Sequence, residues 1–245
     1  MKIITENNLK TVYREDNVCI KLFHHSDKSS ILNEALNHAR AEETGLNIPS
    51  LKEVATIDGK WAIKMDYVTG KTLEQLMKEN PDKEDEYLNL FVDLQLSVHH
   101  KHSPLLTKLK EKMNRKIDEA ELDATTKYEL HTRLNGMPKH NKLCHGDFNP
   151  SNIIITPDGN AFIIDWAHAT VGNASADAAR TYLLFCLENK KDLADKYLKL
   201  FCKKSNTARQ YVEKWMPIVA ASQSVKKKKK EREFLLSWVD VVDYE

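Results

Sequence analysis

Apolar positions alternate with polar ones near the start of the chain, then recur every three to four residues through most of the rest. That change of period predicts a small antiparallel sheet followed by a helical body. Lys2-Ile3-Ile4-Thr5, Thr11-Val12-Tyr13-Arg14 and Val18-Cys19-Ile20-Lys21-Leu22-Phe23 read as strands, the last two separated by a turn at Glu15-Asp16-Asn17. In the third strand Val18, Ile20 and Leu22 share one face and Cys19, Lys21 and Phe23 the other, which keeps Lys21 off the fully apolar face. Ser29 to Thr44 has helical spacing at Ile31, Leu32, Ala35, Leu36 and Ala39, closed by Gly45 and Pro49. Lys52 to Ile57, Asp58-Gly59 and Trp61 to Val68 predict a second hairpin. Thr72 followed three residues later by Gln75 is a capping-box pattern that opens a helix. From Glu84 to His140 the pattern is almost wholly helical, with Leu88, Phe91, Val92, Gln95, Leu96 and His99 on one stripe, and apolar-rich helices return from Thr181 to Trp238.

Between these helical stretches two apolar runs, Asn152 to Thr156 and Ala161 to Asp165, flank Pro157-Asp158-Gly159-Asn160, a cluster suited to closing a hairpin. If Thr156 faces Ala161, the ladder pairs Ile155 with Phe162, Ile154 with Ile163, Ile153 with Ile164 and Asn152 with Asp165. Opposed residues have Cβ atoms about 5 Å apart. An amide oxygen and a carboxylate at that separation can share a hard cation, and Mg²⁺ prefers oxygen ligands while keeping waters for substrate phosphates. His145-Gly146-Asp147 adds a second carboxylate on the loop entering the first strand. Phosphoryl transfer asks for this combination: metal to neutralise the phosphates and a carboxylate to orient the incoming hydroxyl and accept its proton.

Composition narrows the class. Of 245 residues, 30% are charged and 41% hydrophobic, the formal net charge is +1, and no run resembles a transmembrane segment or a signal-peptide core, so a cytoplasmic globular protein is expected. Cys19, Cys144, Cys186 and Cys202 are widely spaced, which points to reduced thiols rather than a disulfide framework or zinc site. The lysine run 226–230 leads through Glu231, Arg232 and Glu233 into Phe234, Leu235, Leu236 and Trp238. It reads as a solvated connection to an amphipathic helix, and neither nucleic acid nor a membrane is expected as a partner. His99, His100 and His102 sit at a helix end before Pro104 with no cysteine or acidic residue nearby, so packing is expected of them rather than metal binding.

His145-x-Asp147-x-x-x-x-Asn152, followed by Ile-Asp165-Trp, resembles the catalytic loop and metal-binding strand of the aminoglycoside phosphotransferase and choline kinase family, relatives of protein kinases. The resemblance covers nearly the whole chain and is strongest from Leu143 to Arg180. It implies an α+β, two-lobed protein-kinase-like fold, with a small antiparallel-sheet nucleotide-binding lobe over 1–68 and a mainly helical catalytic and substrate-binding lobe over 69–245. It implies Asp147 as base, Asn152 and Asp165 as Mg²⁺ ligands, Lys21 on the α- and β-phosphates of ATP and Glu34 as the partner holding Lys21. It also implies backbone groups of Asp66 and Val68 at the adenine, and Asp177 as a hydrogen-bonding support for the catalytic loop. A histidine matching His99 or His100 is frequent in relatives and again implies packing. Kinase-like folds usually cover the phosphates with a glycine-rich turn, whereas Glu6-Asn7-Asn8-Leu9-Lys10 has no glycine; a tight turn is expected there from the tolerance of asparagine for positive φ.

The expected activity is ATP- and Mg²⁺-dependent transfer of the γ-phosphoryl group to a hydroxyl of a small molecule. A protein kinase would carry HRD and DFG strings and an activation segment ending in APE, where this chain has HGD and IDW; a nucleotide-binding pseudoenzyme would not need Asp147, Asn152 and Asp165 together. The acceptor and the oligomeric state have no signature. An aminoglycoside pocket would need carboxylates, for which the candidates are the acidic end Asp240, Asp243 and Glu245 and scattered helix glutamates; the acidic end reads rather as a solvated terminus, and His168 stands where many relatives keep an acid.

Overall fold

The computed structural model describes residues 1–25, 27–225 and 228–239. The acidic end Asp240, Asp243 and Glu245 and the first two lysines of the run 226–230 lie outside the described residues. In chain order the elements are β1 (Lys2–Glu6), β2 (Lys10–Glu15), β3 (Val18–Phe23), α1 (Lys28–Glu42), β4 (Leu51–Ile57), β5 (Lys60–Asp66), β6 (Lys71–Thr72), α2 (Leu73–Glu79), α3 (Glu84–His99), α4 (Leu109–Glu119) and α5 (Ala124–Gly136). There follow β7 (Lys142–Cys144), β8 (Ile153–Ile155), β9 (Ala161–Ile163), β10 (Thr170–Gly172), α6 (Ala174–Leu187), α7 (Lys191–Ser205), α8 (Arg209–Glu213), α9 (Met216–Ser224) and α10 (Lys229–Leu236). They form two compact units, 1–87 with 150–169 and 88–149 with 170–245.

In the first unit a five-stranded antiparallel sheet runs in the order β1-β2-β3-β5-β4. Alternation sorts the apolar side chains into one cluster on each face. Phe23, Ile63 and Met65 pack with Ile31 and Ala35 of α1, while Tyr13, Ile20 and Ala62 form a cluster with Val18, Leu22 and Ile57. Each fully buried side chain of the size of Ile31 or Ile63 contributes about 1.5–3 kcal/mol. Helix α1 is held at three further points: Asn37 Nδ2 donates to Ala167 O (3.1 Å), His38 Nε2 meets Pro49 O (2.6 Å), and the Glu42 carboxylate accepts from Ser50 Oγ and Leu51 N. The capping box of α2 is complete, with Gln75 N–H on Thr72 Oγ1 (3.1 Å) and Thr72 N–H on Gln75 Oε1 (2.9 Å).

A three-stranded sheet β6-β8-β9 completes this unit and corrects the expected register. Ile155 pairs with Ala161, Ile154 with Phe162 and Ile153 with Ile163, one residue out of step with the ladder derived from the sequence. The turn is the cause. Thr156 N–H donates to Asn160 O and Thr156 Oγ1 bonds Asp158 Oδ1, so Thr156 and Asn160 face each other across a three-residue loop whose Gly159 has φ +84°. Asn152 then ends a 3-10 turn, Pro150–Asn152, ahead of the strand, and its carbonyl accepts from Ile164 N–H (2.9 Å). Asn152 and Asp165 are therefore offset along the ladder rather than directly opposed.

The second unit is mainly helical. Phe91 of α3 lies 4.9 Å from Phe148, 5.8 Å from Phe185 and 5.7 Å from Tyr197 by ring centroids. Gln95 is buried there with both ends satisfied, donating to Thr181 Oγ1 and accepting from Tyr197 OH. The helical run expected from Glu84 to His140 is three helices, broken between His99 and Leu109 and again before Ala124. The strands β7 and β10 pair, Cys144 with Thr170, and bracket the loop that carries Asp147. No helix among the described residues is long and apolar enough to cross a membrane.

Candidate active site

In the first unit the sheet delivers Lys21 to two carboxylates. Lys21 Nζ is 3.1 Å from Glu34 Oε1 on α1 and 3.0 Å from Asp165 Oδ1. Burial alone would push this ammonium toward neutrality, but the charges and hydrogen bonds of Asp165 and Glu34 outweigh it and raise its pKa. Glu34, not Glu42, is the partner, because Glu42 is taken by Ser50 and Leu51. Asp165 has φ 64° and ψ 63°, a left-handed conformation that aspartate tolerates better than most residues, at the entry to the 3-10 turn Trp166–His168. That turn is fixed by Trp166 Nε1 on Ile163 O (3.0 Å) and by the bond of Asn37 to Ala167.

A second cation was not foreseen. Lys10 Nζ lies 3.6 Å from Asp165 Oδ2. The sequence held a signal for it: alternation puts Lys10 on the face of Val12, and the ladder pairs Val12 with Lys21. The turn before Lys10 also differs from expectation. Neither Asn7 nor Asn8 has positive φ, and Asn7 closes the turn with its side chain instead.

At the end of β5, Asp66 N–H donates to Ser50 O (2.9 Å) and Tyr67 N–H to Asn17 O (2.9 Å), while Arg14 lies over the Tyr67 ring at 4.2 Å. The Asp66 carboxylate pairs with Lys52 (3.0 Å). Asp66 and Val68 line a cavity of about 470 Å³ with Ile48, Pro49, Tyr67, Phe162 and their neighbours.

The second unit holds Asp147. Arg180 Nη2 reaches Asp147 Oδ1 (3.4 Å) and Asn149 Nδ2 reaches Oδ2 (3.4 Å). Burial pulls the Arg180 guanidinium down from its usual range, and Asp147 works against that. Asp177 sits beneath the loop, accepting from the backbone of His145 (3.1 Å) and Gly146 (2.7 Å) and pairing with His99 Nε2 (3.0 Å). Burial would raise the Asp177 carboxyl, but the hydrogen bond and charge of His99, with His145 and the Gly146 amide, hold it below the ordinary range. His145 Nδ1 accepts from Asp147 N–H (3.2 Å), so the loop is pinned on both sides of Gly146. Arg180 was not anticipated; its only signal is its place three residues after Asp177 on one helix. His102 Nδ1 bonds Asn141 O, and no group of three or more His, Cys, Asp and Glu able to hold a metal occurs among the described residues.

The donor set fits the groups that the sequence pattern implies. The Asp165 carboxylate faces the ammonium groups of Lys10 and Lys21, and the Asn152 backbone is bonded to the residue before it. One carboxylate and one amide suit Mg²⁺, which retains waters, better than a metal that needs a dedicated cage. Lys21 and Lys10 are ammonium groups of the kind that could meet a polyphosphate.

The model of the phosphotransferase enzyme family matches residues 6–214. No curated protein matches the chain. Among solved structures, a thermostable mutant of aminoglycoside phosphotransferase APH(4)-Ia in its apo form aligns with a TM-score of 0.74 at 12% identity, covering 97% of this chain and 92% of that one. The choline/ethanolamine kinase family protein from Mesorhizobium loti aligns at 0.65 and 14%, covering 95% and 84%. Choline kinase LicA from Streptococcus pneumoniae aligns at 0.65 and 12%, covering 98% and 92%. The chain therefore carries the two-lobed kinase-like α+β fold of small-molecule kinases, and it belongs to the phosphotransferase enzyme family.

Proposed function

We propose that the chain transfers the γ-phosphoryl group of ATP to a hydroxyl of a small molecule, with Mg²⁺ held by Asn152 and Asp165. The observation that carries this reading is Lys21 bridging Glu34 and Asp165 in the first unit, with Asp165 held in a left-handed conformation. The turn that follows, held by Trp166 on Ile163 O and Asn37 on Ala167 O, keeps Asp165 in that conformation. Mg²⁺ would neutralise charge on the phosphates as the bond to the γ-phosphorus breaks. Lys21 binds phosphate oxygens, and Glu34 keeps its ammonium directed. Backbone groups of Asp66 and Val68 border the adenine. Asp147 orients the acceptor hydroxyl and takes its proton, Arg180 and Asn149 fixing one carboxylate oxygen each. On this reading 1–68 is the nucleotide-binding lobe and 69–245 the catalytic and substrate-binding lobe.

The acceptor class is supported by the company the fold keeps. An APH(4)-Ia mutant 13% identical to this chain is known as a ternary complex with AMP-PNP and hygromycin B, and two other neighbours are named for choline or ethanolamine. A coupled ADP-release screen against aminoglycosides, choline, amino alcohols, sugars and nucleosides tests the reading. Acceptor-dependent ADP release is the expected result; phosphorylation of a folded protein with no small molecule accepted would overturn it.

A further inference from the structure

The turn between β1 and β2 stands where a glycine-rich phosphate cover would lie, and its hydrogen bonds exclude that mode of binding. Asn7 N–H donates to Lys10 O at 3.0 Å, and the amides of Leu9 and Lys10 both donate to Asn7 Oδ1, at 2.9 and 3.0 Å. Three of the four amides from Asn7 to Lys10 are thus committed inside the turn. Glycine-rich loops hold phosphate through such amides. The base of the turn is tied as well, Thr11 Oγ1 donating to Glu6 Oε1 (2.9 Å) and meeting His24 Nε2 (2.9 Å). A turn closed in this way offers side chains to a ligand, not backbone.

The register selects one of those side chains. Val12 pairs with Lys21 and Lys10 with Phe23, which makes Lys10 a diagonal neighbour of Lys21 on the same face of the sheet. Both ammonium groups converge on Asp165, Lys21 on Oδ1 and Lys10 on Oδ2. Lys21 is nearly buried and also bound to Glu34, whereas the Lys10 side chain is 26% exposed and has Asp165 as its only ion pair among the described residues. A lysine ammonium is a compact charge with three donors, able to follow phosphate oxygens without a fixed geometry.

Resting on the reading that the chain binds Mg·ATP, we propose that Lys10 grips the β- and γ-phosphates and so takes over the task of a glycine-rich turn. Its position against Asp165 Oδ2 keeps it beside the metal-binding carboxylate, ready to exchange that oxygen for phosphate oxygens. Calorimetry in Mg²⁺ with adenosine, ADP and AMP-PNP tests this on the parent and on Lys10→Ala, Lys10→Met and Lys10→Arg. Methionine is included because it keeps most of the lysine stem. Loss of a charged hydrogen bond predicts that Ala and Met weaken ADP and AMP-PNP by about 10- to 100-fold while adenosine changes by less than about twofold. Arg should recover most of the loss. Unchanged ADP and AMP-PNP affinity, or an equal loss for adenosine, overturns the role of Lys10 alone. A parent that binds none of these ligands overturns the phosphotransfer reading on which it rests.

Discussion

Asp147 and Asp165 stand in different surroundings, one in each unit, and on the proposed reading those surroundings suit different work. Asp165 faces two ammonium groups in the first unit, a setting for binding cations and phosphates; Asp147 is oriented by Arg180 and Asn149 at the end of a pinned loop, a setting for proton transfer. Asp147→Asn is accordingly expected to lower kcat by about 10²–10⁴-fold while Mg·nucleotide affinity by calorimetry stays close to the parent. Asp165→Ala is expected to abolish the Mg²⁺ dependence of nucleotide binding as well as turnover, because the site loses its carboxylate; unchanged Mg·ATP affinity would contradict the assignment. Asp177 makes a third, structural case. Its folded pKa lies below the ordinary value of 3.8, so its contribution to stability is present above that pH and is lost as pH falls through the depressed folded value. Removing one member of a buried pair costs about 3–5 kcal/mol, so Asp177→Ala should lower Tm sharply at pH 7. The gap between parent and variant should narrow as melts are repeated toward pH 3. Asp147, Asn152 and Asp165 stood out in the sequence because their types and spacing suit phosphoryl transfer, the role proposed for them. Lys10 and Arg180 were not, since a lysine on a strand and an arginine on a helix gain meaning only when the fold sets them against a carboxylate.

The elements follow from period, and the errors follow from what period leaves out. Strands β2 to β5 and helix α1 were readable because their alternation or helical spacing runs over several residues. The three-residue strands β7 and β10 and the two-residue β6 are too short to show any. The β8–β9 hairpin was readable as a hairpin, but its register depended on whether the turn holds three or four residues, and hydrogen bonds of Thr156 with Asp158 and Asn160 decide that. β6 imposes a further test. Gly70 precedes it so closely that an added Cβ would run into the Ile155 carbonyl of β8, which no side-chain rotation relieves. Gly70→Ala is expected to cost about 1–3 kcal/mol, visible as a lower midpoint in denaturant with an unchanged slope. A parent-like midpoint would mean that the β6–β8 pairing is not as tight as described.

At the scale of the molecule the family was legible from one stretch, Leu143 to Arg180, because phosphoryl transfer needs few residues and needs them in order. The acceptor was not, since the same fold serves aminoglycoside and choline kinases among its neighbours, and recognition of a small alcohol leaves no fixed spacing. Binding of a nucleotide to the folded chain should raise stability by about 2.7 kcal/mol at a hundred times Kd. Mg·ATP is therefore expected to raise Tm, and Asp165→Ala to remove most of the shift. The central claim is the transfer itself. Its most direct test is incubation of the purified chain with γ-labelled ATP, Mg²⁺ and the pooled small-molecule alcohols, followed by mass spectrometry of the acceptors, with Asp147→Asn in parallel. Label on an acceptor hydroxyl with the parent, and its near absence with the variant, is the predicted result; label transferred equally by both, or found only on protein, would contradict the account.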